Sequence, residues 1–191
     1  MYEGGDLISL MKRKNANFTE NEVVSFMSDL FSGLKHLEEN NIMHRDMKPE
    51  NIMIRNVGQD RQQLVIVDFG LASKTDIPKY LLERCGTPGY VAPEVAFFKA
   101  GDQLTPRCDV FSLGVIFHIF LSRSHLFEGK DANEVYLNNK NLKFDLNDSK
   151  YSKINLNAMD LLKKMLIKYP EQRITASLAL HHNYFGGINF N

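Results

Sequence analysis

A proton acceptor, a cation and an oxygen donor stand together in the segment His44-Arg45-Asp46-Met47-Lys48-Pro49-Glu50-Asn51. Moving a phosphoryl group onto a hydroxyl needs these parts: an acceptor for the hydroxyl proton, positive charge against the transferred group, and hard oxygen ligands for Mg²⁺. Asp46, Lys48 and Asn51 supply one of each. A second carboxylate, Asp68 of Asp68-Phe69-Gly70, follows an apolar run and offers another metal ligand. Taken singly, these residue types are ordinary surface or turn polar groups; only their combination and order point to this chemistry.

Such groups work only if rigid elements aim them. Thr19 and Glu22 form a T-x-x-E capping box, with Phe18 placed to staple against Val23. The helix they open is expected to reach about Glu39, because Val23, Met27, Leu30, Leu34 and Leu37 recur at helical spacing before Asn40 and Asn41. Two apolar segments follow, 52–54 and 64–67, and Asn56, Gly58 and Asp60 between them supply the turn of a hairpin. The reactive segment thus lies between a capped helix and a strand, and Asp68 at a strand end beside it.

From 70 to 93 the residues Gly86, Pro88, Gly89 and Pro93 forbid a long regular element, and a long loop in a compact domain is usually functional. Helical patterns then cover 109–122, 132–139, 157–167 and 176–181. The asparagine-rich stretch 138–147 reads as a loop, and Phe97-Phe98 as packing. The apolar run 110–121 falls short of the ~20 residues of a membrane span and contains Gly114 and His118, so it reads as a buried core helix.

With these elements in place, the segment 44–51 resembles the HRDxKPEN catalytic loop of eukaryotic-type protein kinases, and Asp68-Phe69-Gly70 their DFG motif. Gly86-Thr87-Pro88-Gly89-Tyr90-Val91-Ala92-Pro93-Glu94 resembles the end of the activation segment, Asp109-Val110-Phe111-Ser112-Leu113-Gly114 the start of the family's central helix, and Arg173 its late arginine. The motifs occur in the family's order, from Gly4-Gly5-Asp6 to Phe185. The resemblance implies an α+β, mainly α fold: the C-terminal lobe of a kinase, a helical bundle with a small β-hairpin at the cleft. It also implies a domain over residues 1–185 with a short tail at 186–191.

The same resemblance implies roles. Asp46 would orient and deprotonate the substrate hydroxyl, and Lys48 would stabilise the transferred phosphoryl group. Asn51 and Asp68 would hold Mg²⁺, and ATP would meet Asp6 at its ribose and Met53 beneath adenine. Thr87, with Pro88-Gly89-Tyr90 after it, implies transfer to serine and threonine. Asp109 would accept backbone N–H groups of the catalytic loop, Glu94 would pair with Arg173, and His44 would pack with Phe69. Arg45 commonly meets a loop phosphate in the family; here that position is Glu83. Its charge of about −1 replaces roughly −1.5 to −2, which implies activity without loop phosphorylation.

Residues 81–90, Arg173-Ile174-Thr175 and 181–185 are most similar to the calcium/calmodulin-dependent kinase group, with departures at Tyr169, Phe111 and His182-Asn183-Tyr184. The protein substrate would then carry basic residues upstream of its hydroxyl, facing Asp6 and Glu50. The glycine-rich loop, strand lysine and helix glutamate of an ordinary kinase site do not occur in these residues. The resemblance therefore implies an absent N-lobe, supplied by a longer chain or a partner; the alternative is a non-catalytic, pseudokinase-type binding module.

Composition sets outer bounds. In 191 residues, Lys plus Arg (23) balances Asp plus Glu (23), so global charge points to neither nucleic acid nor an anionic membrane. Two separated cysteines, Cys85 and Cys108, read as free thiols. With no signal-peptide pattern at the start, a soluble, cytoplasmic protein is expected. The histidines show no zinc spacing.

Overall fold

Thr19 and Glu22 open the longest helix as their spacing predicts. The computed structural model describes residues 2–57, 61–75, 85–99 and 102–186. The Glu22 N–H donates to the Thr19 hydroxyl at 3.3 Å, and the Thr19 N–H to the Glu22 carboxylate at 2.8 Å. Helix α2 then runs over Glu20–Glu39, burying Val23, Phe26, Met27, Leu30, Phe31, Leu34 and Leu37. Phe18 stands edge-on to Phe26 and Phe120, with ring centroids 5.7 and 5.3 Å away. The helix ends at Asn40, after which Asn41 takes a left-handed conformation (φ 55°).

Helix α4, Arg107–Ser122, is apolar on every side, and residues 108–120 are all buried. A helix with that pattern belongs at the centre of the domain. It contacts α2 on one hand and α6, Leu156–Met165, on the other, while α7, Ala176–Ala179, closes against α2. The remaining helices are α1, Leu7–Lys14, α3, Pro93–Ala96, and α5, Ala132–Lys140.

The hairpin is longer than its apolar core suggests: β2, Ile52–Val57, pairs antiparallel with β3, Arg61–Ile66, Ile52 lying opposite Ile66 and Ile54 opposite Leu64. Val67, expected in the strand, lies just beyond it and donates its N–H to the Asn51 carbonyl at 3.0 Å. Asp29 of α2 accepts the Leu64 N–H and the Arg61 guanidinium, each at 3.1 Å, which clamps the hairpin to the bundle. A second sheet pairs β1, Ile42–Met43, with β4, Ser73–Lys74. It ties the segment before His44 to the segment after Leu71, and two-residue strands carry no alternation by which to foresee it.

The fold is α+β and mainly α, as expected. The asparagine-rich stretch departs from the loop reading, because α5 continues through Lys140 and Asn139 is buried. Phe98 packs against the core, but Phe97 is 48% exposed with the Lys140 ammonium 4.4 Å above its ring. Among the described residues, no helix is long and apolar enough to cross a membrane.

His118 of α4 sets an acid limit on stability. Burial, with help from Lys150 and His125, pulls its pKa down to about 4, while its Nε2 bonds the Tyr151 hydroxyl at 2.9 Å. The unfolded chain takes up a proton near the ordinary imidazole value of 6.5 and the folded one does not until about 4. Stability is therefore whole above pH 6.5 and falls as pH drops through that window, by up to about 1.4 kcal/mol per pH unit. Urea unfolding at stepped pH is expected to show this slope, and His118→Gln, which cannot titrate, to flatten it.

Candidate active site

The loop between β1 and β2 is held from below by α4. Asp109, in the first turn of α4, is fully buried and accepts the His44 N–H at 2.7 Å and the Arg45 N–H at 2.8 Å. Burial raises its pKa against these two bonds. The same loop is fixed from the side: His44 Nε2 bonds the Val67 carbonyl at 2.9 Å, and its ring meets Phe69 at 5.0 Å. Arg45 donates through Nε to the Leu71 carbonyl at 2.7 Å. Arg45 (φ 67°) and Asp68 (φ 62°) adopt left-handed backbone, a conformation costing about 1–3 kcal/mol in a non-glycine residue and concentrated at functional sites.

Asp46 is the centre of the cluster. Its Oδ1 accepts the Thr87 hydroxyl at 2.7 Å, and its Oδ2 lies 2.7 Å from Lys48 Nζ and 3.0 Å from Asn51 Nδ2. Lys48 also donates to Thr87 Oγ1 at 3.0 Å, and Asn51 to the Asp46 carbonyl at 2.9 Å. Burial pushes the Asp46 carboxyl up, but the bonds from Lys48, Thr87 and Asn51 outweigh it and hold its pKa below the usual value. The group is an ionised carboxylate at neutral pH, fixed in orientation at both oxygens. An anion so held accepts a proton from a hydroxyl placed against it.

Asn51 is buried in the 3-10 turn Pro49–Asn51, and its amide nitrogen donates to both the carbonyl and the carboxylate of Asp46. Asp68 is exposed at the strand end, its Oδ1 accepting the Gly70 N–H at 3.2 Å. Asp6 and Met53 are brought together by a β-bridge. Gly4 makes the approach possible, since a Cβ there would clash with the Ile54 side chain. Asp6 also caps α1, accepting the Ser9 N–H at 2.7 Å, and hydrogen bonding to the Ser9 side chain and backbone lowers its pKa. Glu50 is exposed on the 3-10 turn. The structure thus gathers Asp46, Lys48, Asn51 and Thr87 into one bonded cluster, with Asp6, the cap of α1, bridged to Met53 of the neighbouring strand β2.

Further out, the Arg173 guanidinium spans to Glu94 at 2.6 and 2.9 Å, the pair expected from the sequence. Glu83 lies outside the described residues. One site-linked residue gave no sequence signal: Asn139, inside a polar run, reaches the backbone on either side of Tyr90.

Comparison with known proteins agrees with this geometry. The family described as "Protein kinase domain" matches residues 1–185. Myosin light chain kinase family member 4 of Mus musculus is 36% identical over 180 residues, covering 94% of this chain and 45% of that protein. Calcium-dependent protein kinase 4 of Plasmodium berghei is 32% identical over 185 residues, covering 96% of this chain and 34% of that protein. The chain spans less than half the length of these curated relatives. It belongs to the protein kinase family, as a eukaryotic-type serine/threonine kinase most like the calcium/calmodulin-dependent group.

Proposed function

We propose that these residues form the larger lobe of a catalytic domain that transfers the terminal phosphoryl group of ATP to serine and threonine hydroxyls of protein substrates. The observation that carries this reading is the Asp46 carboxylate, bonded at once by Thr87, Lys48 and Asn51. Asp46 receives the acceptor proton; Thr87 fixes the angle of its carboxylate; Lys48 places a cation beside the acceptor hydroxyl. ATP with Mg²⁺ supplies the phosphoryl group and part of the positive charge that offsets it.

The donor set suits that ion. Asn51 and Asp68 present hard oxygen atoms, and Mg²⁺ is typically held by one or two protein groups together with phosphates rather than by an all-protein cage. Met53 and Asp6 would meet adenine and ribose. Of the two carboxylates open to basic residues of a substrate, Glu50 is exposed, whereas Asp6 is engaged as a helix cap. The phosphate-covering loop and its lysine would come from a second lobe, in the intact polypeptide or in a partner.

Asp68→Asn in the intact protein tests the metal assignment. The Mg²⁺ concentration for half-maximal ATP binding, followed by thermal shift, is expected to rise at least about tenfold, the range seen when support for a bound ion is removed. Superimposable Mg²⁺ curves for variant and wild type would overturn it. Binding of Mg²⁺ and ATP without transfer would instead favour the non-catalytic binding module.

A further inference from the structure

Helix α5 buries a polar residue where an amphipathic helix would normally bury an apolar one. Asn139 is 0% exposed, and both ends of its amide are used. Its Nδ2 donates to the Val91 carbonyl at 2.9 Å, and its Oδ1 accepts the Gly89 N–H at 3.1 Å. A buried amide is tolerated when such bonds are made and strongly unfavourable when they are not. The side chain therefore holds the turn around Tyr90 in one place.

That turn leads straight to the catalytic cluster. The Tyr90 N–H donates to the Thr87 carbonyl at 3.1 Å, and the Thr87 hydroxyl is bonded to Asp46 and Lys48. The turn borders two clefts open to solvent, one of about 320 Å³ lined in part by Val115, Phe127 and Val135, and one of about 340 Å³ lined in part by Ala96, Tyr136 and Lys140. Gly89 has a φ of +90°, and Val135 of α5 would stand 3.3 Å from a Cβ placed there. The helix thus touches the turn closely, and the Asn139 amide supplies directional bonds that apolar contact does not.

We infer that Asn139 is a positioning residue for substrate: through the backbone of Gly89 and Val91 it sets the turn over which the acceptor polypeptide runs as its hydroxyl reaches Asp46. The inference rests on the proposed function for the identity of the ligand. Asn51 bonds Asp46 at Oδ2 and Thr87 bonds it at Oδ1; with Asn51 assigned to the metal under the proposed function, a polypeptide acceptor would approach along the Thr87 side, where residues 88–90 follow in the chain. Asn139 touches neither substrate nor ATP; its effect is carried by the turn.

The test compares Asn139→Leu and Asn139→Ala with Tyr136→Phe in the intact protein. Tyr136, on the same helix, donates its hydroxyl to the Ala96 carbonyl at 3.2 Å, and the phenylalanine variant removes that bond while keeping the ring. Hydrogen exchange of residues 86–91 is expected to quicken about tenfold in the Asn139 variants, the scale of one lost hydrogen bond, while the amides within α5 keep their protection. The KM for a serine peptide is expected to rise at least about tenfold with the KM for ATP unchanged, since small misplacements are costly in a bound geometry. Tyr136→Phe is expected to do neither. The alanine variant serves if leucine prevents folding. Unchanged exchange in both Asn139 variants, equal changes in the two KM values, or the same split in Tyr136→Phe would overturn the assignment. If the intact wild-type protein transfers no phosphoryl group, the proposed function fails, and exchange at residues 86–91 still decides whether Asn139 places the turn.

Discussion

Asp46→Asn in the intact protein is expected to lower kcat for peptide phosphorylation by about 10²–10⁴-fold, the contribution of a positioned general base. The amide matches the carboxylate in shape but carries no charge and is a poor proton acceptor. Its NH₂ group must face either Thr87 or Lys48, where the carboxylate accepted from both. The loop itself is held by Asp109 through backbone bonds to His44 and Arg45, so the unfolding temperature is expected to stay close to that of wild type. Peptide transfer in a single-turnover assay, beside a melting curve, separates these effects; undiminished transfer would contradict the role. Because partner bonds lower the Asp46 pKa despite burial, the wild-type rate is expected to lose its base only below the usual carboxylate range as pH falls.

Arg173→Met is expected to destabilise the fold by about 3–5 kcal/mol, as when one partner of a buried ion pair is removed. The Arg173 side chain is fully buried, with Glu94 14% exposed. Besides Glu94, the guanidinium serves the carbonyls of Ile167, Arg107 and Lys168 at 2.9, 2.8 and 3.2 Å, and it lies 5.1 Å from the Phe111 ring centroid. Substitution strands a carboxylate and three acceptors at the junction of α3, α4 and the segment after α6. For a domain of this size the loss corresponds to a fall of roughly 6–20 °C in unfolding temperature. Calorimetry checks it; a shift of less than a degree or two would show that the pair does not tie these elements together. The double variant Glu94→Leu/Arg173→Met is expected to recover part of the loss, because it leaves no uncompensated charge.

Local chemistry made much of this legible. The capping box at Thr19 and Glu22 gave the start of α2, and unbroken apolarity marked α4 as the central helix. Asp109, Glu94 and Arg173 found their anticipated partners because the motifs around them specify long-range contacts. Elements that depend on tertiary pairing were not visible. Strands β1 and β4 are two residues each and exist through one another. Helix α1 is short, and its cap, Asp6, lacks the reciprocal glutamate that would have marked it. Asn139 sits among polar neighbours, so nothing local distinguishes a solvated asparagine from one that bonds two backbone groups 48 and 50 residues away.

The most direct test is phosphoamino-acid analysis of a protein or peptide substrate incubated with the intact wild-type protein, γ-labelled ATP and Mg²⁺, beside the Asp46→Asn variant. Label is expected on serine and threonine, dependent on Mg²⁺ and greatly reduced in the variant. Label on tyrosine, or incorporation by wild type no greater than by Asp46→Asn, would contradict it.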